Sequence, residues 1–136
     1  MRRLINVCGL PGSGKSTFAL WLAQESGGIA VAADDFFYDS KDEYHFVPAL
    51  LKQAHEDCQS RTREAFSTVD TVVVHNTGVR QWERDVYRAI ARDAGAQYTE
   101  VVIQSGLSTM DLSMRNVHGV PREKITDMRA KFDHNL

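Results

Sequence analysis

The stretch that most constrains this chain is Gly9-Leu10-Pro11-Gly12-Ser13-Gly14-Lys15-Ser16-Thr17. It fits G-x-x-x-x-G-K-[ST], the pattern of a loop that wraps the phosphates of a nucleoside triphosphate. Glycines at these places let the backbone come close to an anion in conformations closed to residues with a Cβ. Consecutive amides then point inward, and the helix that follows adds the positive end of its dipole. On this reading Lys15 reaches the β- and γ-phosphates and the Ser16 hydroxyl ligates Mg2+. The flanks agree: Leu4-Ile5-Asn6-Val7-Cys8 reads as a buried strand, and the residues from Thr17 to Ala23 read as a helix.

The rest of the chain alternates the same two patterns. A first helix is expected over residues 14–24, with Phe18, Trp21 and Leu22 on its buried face and Gly27-Gly28 as its stop. Apolar runs predict further strands over 29–33, 69–74 and 98–104, and runs of that kind suit parallel strands covered on both faces. Helices are expected over 48–66, with Leu51, Ala54, Cys58, Ala65 and Phe66 inward, and over 81–94, with Trp82, Val86 and Ile90 inward. Ser108 or Thr109 caps a short helix through Asn116, and Pro121 opens a last one with Ile125, Met128 and Phe132 on one face. Strands alternating with helices imply an α/β fold of three layers around a parallel sheet of about four strands. The 136 residues are read as one domain, 1–136.

Charge narrows the partners. A net charge of −2 leaves no global positive field for a duplex, so any nucleic-acid contact is local, at an end or a single strand. Neither a signal peptide nor a membrane span is read, and the two cysteines suit a reduced, cytoplasmic setting. Cys8 reads as a small core residue. His55 and Cys58 lack further ligands at metal-binding spacing, and His45 and His134 carry no chemical signal.

Outside the loop, Asp34 and Asp35 stand directly after the second strand, at the edge where open α/β sheets bind ligands. A carboxylate there accepts a proton from an attacking hydroxyl or holds the metal through water. The plain alternative is that the pair caps a turn. His75-Asn76-Thr77-Gly78 ends the third strand where many such enzymes carry a magnesium-associated aspartate. The nearest acid, Asp70, falls early in the predicted strand, so the metal role moves to Asp34 or Asp35. Arg115, Asn116 and His118 lie between the last two helices, where a basic side chain can clamp the γ-phosphate or simply be a solvated helix end. Arg122, Lys124 and Arg129 read as a solvated face.

Four separated pieces, GLPGSGKST at 9–17, ADDFF at 33–37, HNTG followed by Trp82 and Glu83, and RNVHGVP at 115–121, together resemble the polynucleotide-kinase-like P-loop kinases over nearly the whole chain. The resemblance implies the strand order 2-3-1-4, ATP and Mg2+ as cofactors, and transfer of the γ-phosphate to a hydroxyl, in polynucleotide kinases the 5′-OH of a nucleic acid. It maps the general base onto Asp34 and the nucleotide site onto Gly9, Leu10, Pro11, Gly12, Ser13, Gly14, Lys15, Ser16 and Thr17. It assigns metal binding to Ser16, with Asp35 taken as its acidic partner, and lid roles to Arg115 and His118. His118 stands where phage-type members have an arginine, and His75 where the related branch has an aspartate. A small-metabolite or nucleoside kinase, and a non-catalytic nucleotide-binding module, share the same loop and stay open.

Overall fold

A computed structural model describes residues 1–132; His134 lies outside the described residues. Four strands, β1 (Arg3–Gly9), β2 (Ile29–Val31), β3 (Thr71–His75) and β4 (Gln97–Ile103), form one parallel sheet in the order β2-β3-β1-β4. That is the order the resemblance implied. The helices are α1 (Lys15–Ser26), α2 (Leu51–Ala65), α3 (Gln81–Asp93), α4 (Thr109–Arg115) and α5 (Arg122–Lys131).

The strands alternate between two cores, as a pleated sheet covered on both faces requires. Leu4, Val72 and Val74 face α2 and α3, meeting Ala54, Cys58, Tyr87 and Ile90. Val7 and Val73 face the other way, onto Ala19 and Ala23 of α1. Register pairs Leu4 with Val72 and Val72 with Ile29, so these aliphatic residues line up in a row across the sheet.

Several expected boundaries and faces change. Trp21 was expected inside but is 55% exposed; Ala19 and Ala23 carry the buried face of α1. Ala19 and Ala23 pack on Val7 and Val73 of the sheet, and Phe18 and Leu22 lie partly buried against the same cluster. Trp82 is likewise 68% exposed, because the inward stripe of α3 is Arg84, Tyr87, Ile90 and Ala91. Pro48–Leu50 form a 3₁₀ turn ahead of α2, and Leu51 is exposed. The second strand stops at Val31, and Ala33–Phe37 wind into a 3₁₀ turn. Asp70 precedes β3 rather than lying in it. Gly27, at φ 68, ends α1 in the left-handed conformation expected of its glycine.

Candidate active site

Between β1 and α1 the backbone turns through Gly12 at φ 79 and Gly14 at φ 94. Gly14 occupies the N-cap of α1, where no side chain caps the helix, so the first-turn amides face outward for an anion. The Ser13 hydroxyl is buried and makes no hydrogen bond among the described residues. A buried hydroxyl of this kind fits an acceptor that arrives with a ligand. Burial pulls the Lys15 ammonium below its usual range, against the opposing pull of Asp34. A glycine cradle, an orphaned hydroxyl and a poorly hydrated cation together fit a polyphosphate.

β3 lies beside β1 in the sheet, so its last residue meets the first turn of α1. His75 Nδ1 and Ser16 Oγ are 3.1 Å apart. Burial lowers the proton affinity of His75, opposed first by Asp35. The next residue serves the backbone: Asn76 Oδ1 accepts from the Ala33 amide at 2.8 Å, tying the end of β3 to the turn that carries the aspartates.

That turn separates the two aspartates. Asp35 Oδ2 accepts from the Ala32 amide at 3.0 Å and faces Arg61 Nη1 at 3.3 Å. Arg61 in turn donates to Asp57 at 2.7 Å and to the Ala32 carbonyl at 2.9 Å. Asp34 projects elsewhere. Its Oδ1 accepts from the Tyr44 hydroxyl at 2.8 Å, and its Oδ2 lies 3.3 Å from His118 Nδ1. The Tyr38 hydroxyl meets His118 Nε2 at 3.3 Å, so two tyrosines and a histidine surround this carboxylate. Desolvation and the contact with Asp34 push the Tyr44 hydroxyl well above its ordinary range, and it stays protonated as a donor.

Of the residues singled out from sequence, Lys15, Ser16, Asp34 and His118 come together at the C-terminal edge of the sheet. Arg115 ends α4 and is exposed. Arg129 is exposed, as a solvated face requires, and donates to the Leu107 carbonyl at 2.8 Å. It lines a cavity of about 260 Å³ with Leu10, Ser13, Ile103, Gln104 and Phe132, against the phosphate loop. A second cavity, about 800 Å³, runs between α2, α3 and α5 past Asn76, Thr77 and Trp82.

Sequence reasoning missed Tyr44 and Arg84, and read Arg61, with Arg63 and Lys52, only as positive charge on the second helix that could steer an acidic acceptor or be a wet surface. Arg84 is buried, donates to the Gly78 carbonyl and lies 3.5 Å from Glu100, fixing the turn after β3. Its sequence signal was a polar residue three before Tyr87 on what proved the inward face of α3.

Comparison with known proteins finds the same architecture. Residues 4–134 match the AAA_33 family model, described as an AAA domain. Human NEDD4-binding protein 2 is 35% identical over 133 residues, covering 95% of this chain, which spans 8% of that protein's length. Among solved structures, a chain of the Pnkp1/Rnl/Hen1 RNA repair complex superposes with a TM-score of 0.75 at 18% identity, covering 96% of this chain and 44% of that one. An unliganded sugar kinase from Janibacter sp. HTCC2649 gives 0.69 at 16% identity, covering all of this chain and 80% of that one.

Proposed function

This chain belongs to the AAA_33 family of P-loop domains, of polynucleotide-kinase-like type, and on that premise we propose that it transfers the γ-phosphate of ATP to a hydroxyl, the 5′-OH of a polynucleotide. The observation that carries the proposal is the meeting, at one sheet edge, of the anion cradle of residues 9–17 with a carboxylate, Asp34, that acts electrostatically on Lys15.

The residues divide the work. The amides of the loop and the Ser13 hydroxyl bind the β- and γ-phosphate oxygens, and Lys15 balances their charge. Mg2+, when bound, would supply positive charge to offset that building on the leaving diphosphate. Ser16 would hold it on the protein side, with His75 beside Ser16 and Asp35 near. Asp34 takes the proton of the acceptor hydroxyl as its oxygen bonds to the γ-phosphorus and the bond to the β-bridging oxygen breaks. His118 and Tyr44 keep Asp34 turned toward the acceptor side. Arg115, at the end of α4, closes over the γ-phosphate when the segment before α5 moves. The smaller cavity beside Ser13 and Arg129 receives the nucleoside end of ATP.

No helix among the described residues is long and apolar enough to cross a membrane. An acceptor strand entering from solvent finds exposed Trp82, a stacking surface, on the rim of the larger cavity. The likeness to a sugar kinase supports the second reading, a small hydroxylated metabolite. Labelled γ-phosphate separates the two. The proposal expects label on a 5′-OH oligonucleotide, dependent on Lys15. Label only on free nucleosides or sugars assigns the second reading, and Lys15-independent or absent transfer overturns both.

A further inference from the structure

We infer that the divalent cation entering with the nucleotide is held on the protein side by an oxygen–nitrogen pair, Ser16 Oγ and His75 Nδ1, and that the pair shifts cation preference from Mg2+ toward Mn2+ and Co2+. This rests on the nucleotide reading of the loop. It adds a ligand that the phosphate-loop motif does not supply.

The geometry comes first. Oγ of Ser16 and Nδ1 of His75 are 3.1 Å apart. Adjacent ligands of an octahedral ion with bonds near 2.1 Å stand about 3.0 Å apart. The two donors are therefore spaced as neighbouring corners of one coordination shell. The sheet sets this spacing: β3 is hydrogen-bonded in parallel beside β1, with His75 in register with Val7, two residues before the loop.

The neighbouring donors are engaged elsewhere. Asn76 Oδ1 accepts the Ala33 amide, and its Nδ2 faces Tyr87 and Cys58. Asp35 Oδ2 is shared by the Ala32 amide and Arg61. Asp34 is bracketed by Tyr44 and His118. Among the described residues, His75 is thus the side chain placed directly against Ser16. P-loop enzymes usually set a carboxylate in this part of the site. Carboxylate and water suit Mg2+, a hard ion that gives up water reluctantly and takes imidazole nitrogen poorly, whereas first-row transition ions accept that nitrogen better, Mn2+ modestly and Co2+ more strongly.

The test is pulsed electron paramagnetic resonance on the wild-type protein with Mn2+ and ADP, alongside Mn2+ and Mg2+ affinities from competition titration. Wild type is expected to show nitrogen-14 modulation from directly bound imidazole. His75→Gln is expected to lose the modulation while Mn2+·ADP stays bound. His75→Asp is expected to lower the Mn2+-over-Mg2+ affinity ratio by about tenfold or more. Bound Mn2+·ADP without nitrogen modulation in wild type overturns the inference and leaves the nucleotide reading standing. Modulation that persists in His75→Gln overturns it as well, by assigning the nitrogen to another residue. Failure of wild type to bind Mn2+·ADP at all overturns both readings together.

Discussion

His118 Nδ1 lies 3.3 Å from Asp34 Oδ2, so a side chain from the segment between α4 and α5 reaches the proposed base. The contact ties the segment between α4 and α5 to the carboxylate proposed as base. Two substitutions separate the roles. Asp34→Asn keeps the shape and removes the proton acceptor; phosphate transfer is expected to fall by about 10²–10⁴-fold with nucleotide affinity retained. His118→Ala leaves the carboxylate but frees its orientation, and a smaller loss, about tenfold, is expected in kcat. Single-turnover transfer alongside nucleotide titration checks both. Parent-like transfer by Asp34→Asn would remove Asp34 from the base role.

Tyr44 makes the other contact to Asp34, donating its hydroxyl at 2.8 Å. Its ring also packs on Phe37, Tyr38 and His118. Tyr44→Phe keeps this packing and deletes the one hydrogen bond. Stability is expected to fall by about 1 kcal/mol or less, the net value of such a bond. Turnover is expected to fall several-fold while KM for ATP holds, since the phenol is placed on the acceptor side. Urea unfolding and steady-state kinetics read the two effects separately.

The parts of this site that sequence made legible are those with a local rule. The loop at 9–17 is one continuous motif, and Asp34 sits where a strand end must deliver its residues. Strand order needed the family resemblance, because apolar runs say which segments are strands but not which are neighbours. Trp21 and Trp82 show where periodicity misleads. Both lie at helical spacing from apolar residues, yet the true contact stripes are Ala19 with Ala23, and Arg84 with Tyr87 and Ile90. Alanines carry the contact of α1 on the sheet, and a hydrophobicity pattern undervalues such small side chains. Tyr44, and the partner of the Arg61 charge, were illegible for another reason: each contact acts across the chain, Tyr44 on a residue ten before it and Arg61 on one 26 before it.

Lys15 carries a conflict between stability and function. Burial disfavours its charged form when no phosphate is near, and Asp34 only partly offsets that. Lys15→Met has similar length and no charge to desolvate. The variant is expected to melt higher than wild type, by a few degrees for about 1 kcal/mol gained. The upward shift that ATP with Mg2+ gives wild type is expected to vanish. Differential scanning fluorimetry with and without nucleotide measures both effects in one experiment.

Cys8 gives the chain a definite alkaline dependence. Its thiol is fully buried in β1, and burial first, then Glu100, pushes its pKa up to about 12. In the unfolded chain the thiol ionises near 9.0. Between those values the unfolded state has lost a proton that the native state keeps. Stability is therefore complete below pH 9 and falls as pH rises toward 12. Cys8→Ala is expected to make the decline between pH 9 and 10 shallower, the remainder coming from Cys58 and the tyrosines, whose native pKa values burial also raises. Chemical denaturation at pH 7.5, 9 and 10 tests it, and native protein is expected to resist thiol reagents at Cys8 at pH 8.

Gly12 joins the phosphate loop to α4 through a contact that admits no side chain. It lies at φ 79, and a Cβ there would run into the carbonyl oxygen of Leu112, the buried residue of α4. Gly95, after α3, is the matched control: φ is 67, but a Cβ there meets nothing within 4 Å. Gly95→Ala therefore tests backbone strain alone, about 1–2 kcal/mol for a left-handed residue. Gly12→Ala adds the collision, a further cost of about 1–3 kcal/mol unless α4 lifts away. Lifting α4 would also draw His118 away from Asp34 and Arg115 away from the γ-phosphate it is proposed to cover. Gly12→Ala is thus expected to lower Tm more than Gly95→Ala, weaken nucleotide binding and speed proteolysis within residues 105–121. Equal losses of Tm in the two variants, with nucleotide affinity intact, would show that α4 does not rest on the loop in solution.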